Sequence, residues 1–448
     1  MPKKGLEVKI GVMETTSSFN IDNLLEQVRT EFEQVKDGRI GQIGLSLADA
    51  LMSGFALFSL KDPSLLAFDQ RRQEPENMQR IYQIGQLPSD TQMRKILDEV
   101  SPEELRPVYQ TMWQTVKKNG VLNQFHYLPE GYLLLLDGTN YFSSSKVHCE
   151  NCLEKTLRNG ETLYYHQMLG GVIASPEQKI VLPLFPEPII RQDGQNKNDC
   201  ERNAAKRFIE KLRQDHPDLP LVMVEDALSS NAPHIEILQQ YNIRFILGVK
   251  ESDHAHLFAQ IAHAVATGTA QQFHGPGLKG SRGQYRWVTQ IALNASHPNL
   301  LVNVLEYWET ESNGKVTHWA WVTDLTLNKQ SIYRIMRAGR ARWKVENETF
   351  NTLKNQGYHF EHNFGHGQQY LSSLFATLMM LAFLVDQLQQ MADPLFQKLA
   401  KKLVTKRHLW ERVRALFFDL PFDKMSQLYQ ALLFGYRIKD IVVLLNTG

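Results

Sequence analysis

The sequence predicts an α+β protein: a mixed-sheet core with a β-rich insertion, flanked by N-terminal and C-terminal helical domains. Three observations carry this. Two short unbroken apolar runs, Leu133–Leu136 and Leu221–Val224, each lead into an aspartate, as strands buried on both faces do. Helical spacing dominates both ends of the chain. Between them, residues 251–328 hold long strand-like runs separated by turn residues.

The 448 residues suffice for two to four domains, and 43% apolar with 22% charged residues is ordinary for a globular chain. The net charge is +1, so a nucleic-acid surface has to come from local clustering. Three cysteines point to a reducing compartment and a cytoplasmic location. MPKKGLEVKIG lacks the apolar stretch of a secretory signal. Leu371 to Leu388 is the most apolar segment, but Ser372, Ser373, Thr377, Asp386 and Gln387 make it a buried helix and no membrane span is expected.

In chain order, residues 1–125 read as a helical N-terminal domain. Leu24, Leu25, Val28, Phe32 and Val35 keep helical spacing, and Ser46 to Leu60 is an apolar core helix. Ser89 caps a helix ending near Val100. Ser101-Pro102-Glu103-Glu104 then offers a cap, an N1 proline and a capping-box glutamate. The pair is either a DNA-reading helix-turn-helix or two ordinary packed helices. The sheet begins in 126–250, with strands expected at Tyr132 to Phe142, Tyr164 to Ala174, Ile180 to Pro186, Leu221 to Val224 and Phe245 to Val249. Helices are expected at Asp199 to Gln214 and Asn231 to Gln240. Three strands, helix, strand, helix, strand is the order of a ribonuclease-H-like core. The insertion, 251–328, contributes strands Tyr285 to Leu293, Leu300 to Trp308 and Val316 to Leu325. Residues 329–365 return to helix and complete the core, and 366–448 form a helical C-terminal domain with a basic cluster around Lys398–Arg414.

Asp137 and Asp226 end buried runs, and adjacent strands would set the two carboxylates side by side. Like charges so close raise a pKa unless a cation sits between them. An aspartate opening a turn, as in Asp137-Gly138, is the simpler alternative. A third acid is expected on the helix containing RARWKVENETF. With α-helical spacing Glu346 shares a face with Trp343, Phe350 and Leu353, whereas Glu348 lies opposite. Arg342, four residues before Glu346, either orients that carboxylate or holds a phosphate. Three carboxylates without a Ser or Cys nucleophile system suit metal-assisted phosphoryl transfer, with two Mg²⁺ (or Mn²⁺) ions roughly 3.5–4 Å apart. Arg334, Arg337, Arg340, Arg342, Lys344 and Lys354 form a basic run beside this site, with Arg340, Arg342, Lys344 and Lys354 as DNA-phosphate contacts. Separately, His148-Cys149-Glu150-Asn151-Cys152 contains half of a zinc site, with His166 and Cys200 downstream; Cys200 and a histidine would complete a structural Zn²⁺ centre, and inert buried cysteines are the alternative. His359, His362 and His366 read as ordering the turn after the glutamate helix.

The series Asp137, Asp226, Glu346, with intervals 226 − 137 = 89 and 346 − 226 = 120, resembles the bacterial insertion-sequence DDE transposases, specifically the cut-and-paste insertion-sequence-four group with a β insertion before the glutamate. The resemblance extends over about 130 to 365. DGTNYFSS, QDGQNKNDCERNAAKR and ENETFNTLKNQGYHFEHNFGHG are similar to bacterial transposase reading frames. Arg342 and Glu346 match that group's Tyr-x2-Arg-x3-Glu-x6-Lys signature, while Gly339 stands at the Tyr position and Leu353 at the Lys position, with Lys354 one residue later. The resemblance implies DNA transposition: binding of double-stranded element ends, metal-dependent cleavage there, and strand transfer to target DNA by a homodimer on paired ends. It also implies a tryptophan of the insertion (Trp287, Trp308, Trp319 or Trp321) stacking on a flipped base. Two other functions fit the same residues: a structure-specific DNA nuclease on this core, and a catalytically silent transposase-derived DNA-binding protein.

Overall fold

A computed structural model of the chain describes residues 8–9, 19–40, 44–73, 75–190, 200–311 and 313–438. The chain divides into two compact units. The first takes in Met1–Val121, Asn140–His166 and Asn351–Gly448, the second Leu122–Thr139 and Gln167–Phe350.

The main sheet has eleven strands, numbered along the chain β1 (Tyr132–Ser144), β2 (Leu153–Thr156), β3 (Thr162–Ala174), β4 (Leu182–Pro183), β5 (Glu187–Ile189), β6 (Leu221–Glu225), β7 (Arg244–Gly248), β8 (Gln271–Pro276), β9 (Arg282–Asn294), β10 (His297–Thr310) and β11 (Val316–Thr323). Their order is β2-β3-β1-β6-β7-β11-β10-β9-β8, with β4 and β5 both paired to β3. In the second unit, β1, β6 and β7 are parallel neighbours, and β7 meets β11 antiparallel. The four-leucine run Leu133–Leu136 and the run Leu221–Val224 are buried throughout, as central parallel strands require. Gly131 opens β1 at φ +147°, where a Cβ would lie 2.5 Å from the Pro220 backbone, so only glycine allows the two strands to start level.

The strand expected over Ile180 to Pro186 is reduced to the two residues of β4, and β5 follows it at Glu187–Ile189. Pro183, Pro186 and Pro188 lack the amide hydrogens a continuous ladder needs. Helix Glu201–Asp215 buries Ala204, Ala205, Phe208, Ile209 and Leu212, and helix Ala232–Gln240 is capped by Asn231, whose side chain accepts from the His234 amide at 3.2 Å. Asp199, the expected start of the first of these helices, lies outside the described residues. The insertion is an antiparallel meander of β8 to β11, preceded by a helix, Ala255–Ala266, that the strand-oriented reading missed. Leu257, Ile261 and Ala264 give that helix its buried face.

The first unit is mainly helical. Ile21–Gln34, Leu47–Ser59, Asp90–Leu97 and Arg106–Lys118 are helices; the first buries Leu24, Leu25, Val28 and Phe32 as expected, while Val35 is its C-cap, Ser89 caps as read, and Ser46 caps the second helix. After Ser101 the chain makes a short 3-10 turn, Pro102–Leu105, with Ser101 accepting from Glu103 in place of a capping box at Glu104. Helix Leu371–Ala392 is long and apolar enough by composition to cross a membrane, and it is 94% buried over its most apolar window. It packs on Leu47–Ser59, where Gly54 leaves room for Leu378. At its buried Asp386, the ammonium of fully buried Lys61 and the hydroxyl of Tyr358 both bond, and Lys61 also lies 3.7 Å from the Trp410 ring centre.

Candidate active site

The parallel pairing of β1 with β6 runs Tyr132 to Leu221 through Leu135 to Val224, a constant offset of 221 − 132 = 89. Asp137 and Asp226 are separated by the same 89 residues. Carried two positions past the last ladder pair, beyond the end of β6 at Glu225, that offset would bring the two aspartates level, and both line one cleft. Glu225, one step back, lines the same cleft and accepts from His234 at 2.6 Å and Ser229 at 3.1 Å.

Each aspartate also performs the local task of a turn residue. Asp137 Oδ1 accepts from the Gly138 amide and Asp226 Oδ1 from the Leu228 amide, both at 2.9 Å. Those bonds fix one oxygen of each group and orient the other. Asp137 Oδ2 lies 3.5 Å from Arg342 Nη1, and the same nitrogen is 2.8 Å from Glu346 Oε1. Arg342 thus stands between the first and third acids. Burial, a hydrogen bond with Glu346 and its negative charge push the Asp137 carboxyl up to about 7, against the pull of Arg342.

Glu346 sits at the start of a π-helical turn, Val345–Phe350, which follows helix Ile332–Arg340 and a break at 341–342. Of the face expected for Glu346, Phe350 and Leu353 are buried, whereas Trp343, just before the turn, is 51% exposed. Glu346 is directed to Asp137 by this turn and by Arg342. Gly339, at the signature's tyrosine position, faces Trp321. A Cβ there would come within 2.6 Å of the indole, so the ring fills the space a side chain would take.

A fourth carboxylate, Glu201, was not singled out from the sequence. It is the first residue of its helix and enters the same cleft of about 690 Å³ that Asp137, Asp226, Gln167 and Ser229 line. Gln167 donates to Glu201 Oε1 at 2.8 Å. A Cβ on residue 138 would lie 2.3 Å from that oxygen, so Gly138 makes its place. Burial and the charge of Asp226 raise the Glu201 carboxyl above its ordinary range. The glycine after Asp137 is the one signal in the sequence that bears on it.

Among the basic residues proposed for DNA, Arg340 stacks 3.8 Å over Trp319 and lies 3.4 Å from Glu309, Lys344 bonds the Gln178 carbonyl at 2.6 Å, and Lys354, in the first unit, pairs with Glu361 at 2.8 Å. Of the insertion tryptophans, Trp287 and Trp321 are buried, Trp308 stacks on His318, and Trp319 lies between Tyr307 and Arg340. In the first unit, Cys149 and Cys152 gather with His166 and His366. Cys200, expected as a further ligand, is instead exposed at the start of the Glu201 helix in the second unit. His366 leaves the role of loop-ordering residue for this cluster.

The donor set of the cleft is hard oxygen, half-buried and partly neutralised by one guanidinium, which fits Mg²⁺ or Mn²⁺ better than a softer ion. No family model matches the chain, and no curated protein does. Among solved structures, the chain is similar to a piggyBac transposase in a synaptic complex with hairpin DNA, at 11% identity and TM-score 0.40 over 93% of this chain and 79% of that one. It is also similar to the NurA nuclease from Sulfolobus solfataricus, at 10% identity and TM-score 0.24 over 52% of this chain and 85% of that one. At such scores neither likeness establishes a function.

Proposed function

We propose that the chain is a DDE-type DNA transposase of the insertion-sequence-four kind, with Asp137, Asp226 and Glu346 as its metal-binding acids. The observation that supports the reading is the register: the 89-residue ladder offset equals the interval between Asp137 and Asp226, which line one cleft, and Arg342 joins Glu346 to Asp137. The strand order β3-β1-β6-β7, with β4 and β5 on the outer side of β3, supports a ribonuclease-H-like core.

Bound Mg²⁺ or Mn²⁺ would supply Lewis acidity at the scissile phosphate and an activated oxygen nucleophile. The chain's own groups do the rest. Asp137 and Asp226 each present one oxygen held in place by a backbone amide on the other. Arg342 holds Glu346 before DNA binds, and its guanidinium is suited to a backbone phosphate once the acids are engaged. In the first reaction water displaces the 3′-oxygen from a phosphodiester at the element end. In the second, the freed 3′-hydroxyl displaces an oxygen of a target phosphodiester, so one P–O bond forms for each broken. Two copies would act on two paired ends.

A plasmid carrying the gene with its natural flanks tests this. With Mg²⁺, the transposase reading expects cuts at both borders of the element and joined products in a second plasmid. Cutting of branched or nicked DNA without joining would replace it with a nuclease. Binding of the flanks with neither cutting nor joining would leave a silent DNA-binding protein.

A further inference from the structure

Four side chains outside the carboxylate cleft converge in the first unit. Cys149 and Cys152 belong to the turn after β1, His166 to β3, and His366 to the segment after the glutamate helix. Their ligating atoms all lie within 4.8 Å of one another. The separations are 3.9 Å between the two sulfurs, 3.5 and 3.4 Å from His166 Nε2 to Cys149 and Cys152, 3.3 Å from His366 Nε2 to Cys152, and 3.1 Å between the two Nε2 atoms. A tetrahedron with Zn–S of about 2.3 Å and Zn–N of about 2.0–2.1 Å has edges of about 3.8 Å for S–S, about 3.6 Å for S–N and about 3.3 Å for N–N. Five of the six edges match in order and to within about 0.3 Å, and the sixth, Cys149 to His366, lies within the 4.8 Å span of the group.

The surroundings prepare the same four atoms. His366 Nδ1 lies 2.9 Å from the Gly367 carbonyl, which only accepts, so Nδ1 carries the proton and Nε2 turns a lone pair into the cluster. His166 has no hydrogen-bond partner at Nδ1 among the described residues, and its polar contacts are all made by Nε2 inside the cluster. The Cys149 amide donates to Cys152 Sγ at 3.4 Å, a contact that favours thiolate. Tyr141 stacks on His166 and Phe142 packs against both imidazoles, so aromatic rings cover the histidine side of the group. Cys152, His166 and His366 are buried, where an uncoordinated polar set is costly.

We propose that Cys149, Cys152, His166 and His366 form a structural Cys2His2 zinc site. Its contacts join residues 200 and 214 positions apart in the chain, so the ion closes very long loops and stabilises the folded unit by binding to it alone. No coordination position is left for substrate, which makes the site structural.

The test is the metal content of the full-length chain, purified without chelator, by mass spectrometry of the elements, together with the spectrum after Co²⁺ replacement. Expected are one zinc per chain, tetrahedral cobalt bands with thiolate charge transfer, loss of the metal in Cys152→Ser, and its retention in His366→Cys, which keeps four ligands. If Cys152→Ser fails to fold, the wild-type zinc content and cobalt spectrum decide alone. A folded wild-type chain from zinc-supplemented medium with substoichiometric zinc and no tetrahedral cobalt spectrum overturns the proposal. So does a Cys149–Cys152 disulfide in the freshly isolated protein.

Discussion

The raised carboxyl of Asp137 turns the geometry into a pH-dependent quantity. Burial comes first among its causes, then the hydrogen bond and charge of Glu346; Arg342 offsets part of them. With its midpoint at about 7, this group is half protonated near neutrality. A proton and a divalent ion compete for the same oxygens, so one pH unit below the midpoint only about one molecule in eleven is ready to bind metal. Mn²⁺ affinity of the DNA-free chain should therefore fall as pH drops through about 7, approaching tenfold per unit. Isothermal titration or the electron paramagnetic resonance of free Mn²⁺ reads this without any cleavage. In Asp137→Asn the slope should vanish along with most of the affinity. In Glu346→Gln the amide donates where a carboxyl competed, and the midpoint should move below 7. The metal-free chain shows the opposite sense. Folded Asp137 keeps a proton that the unfolded chain releases near pH 4, so its stabilising contribution is full below about 4 and is lost as pH rises through about 7. An Mn²⁺ affinity that stays flat from about pH 5.5 to about 7.5, or a slope that survives in Asp137→Asn, refutes the arrangement.

Three further outcomes are expected. Asp226→Asn should lower DNA cleavage at least ~10³-fold while leaving binding to the flanking DNA unchanged, and cutting at the normal rate would contradict its role. Gly339→Ala drives a methyl into the Trp321 ring and should cost about 1–3 kcal/mol, read as a lower midpoint in urea. An unchanged midpoint means the helix is not seated on Trp321. Lys61→Met strands Asp386 in the core and should cost about 3–5 kcal/mol, with much of it recovered when Asp386→Leu is added; an uncoupled pair would show additive losses.

The parts of this protein legible in its sequence are those governed by local periodicity. Buried runs announced β1 and β6, and the interval between Asp137 and Asp226 already contained the ladder offset, although only the paired strands reveal that it does. Helix caps at Ser89 and Asn231 were equally plain, because each depends on one side chain and an amide a few residues away. What escaped was tertiary or irregular. The π-turn at Val345–Phe350 has no sequence period, and spacing also placed the exposed Trp343 on a buried face. Glu201 reaches the cleft from a helix start, through space that Gly138 leaves open. His366 meets Cys152 across 214 residues, and no spacing rule extends that far. Cys200 looked like a ligand only because the chain has three cysteines and zinc sites need four donors.

The most direct test of the carboxylate site is a crystal soaked in Mn²⁺ and measured for anomalous scattering. The account places the ion between the free oxygens of Asp137 and Asp226, with Glu346 turned from Arg342 toward it. Manganese bound elsewhere, with Arg342 still bridging Glu346 and Asp137, would contradict it.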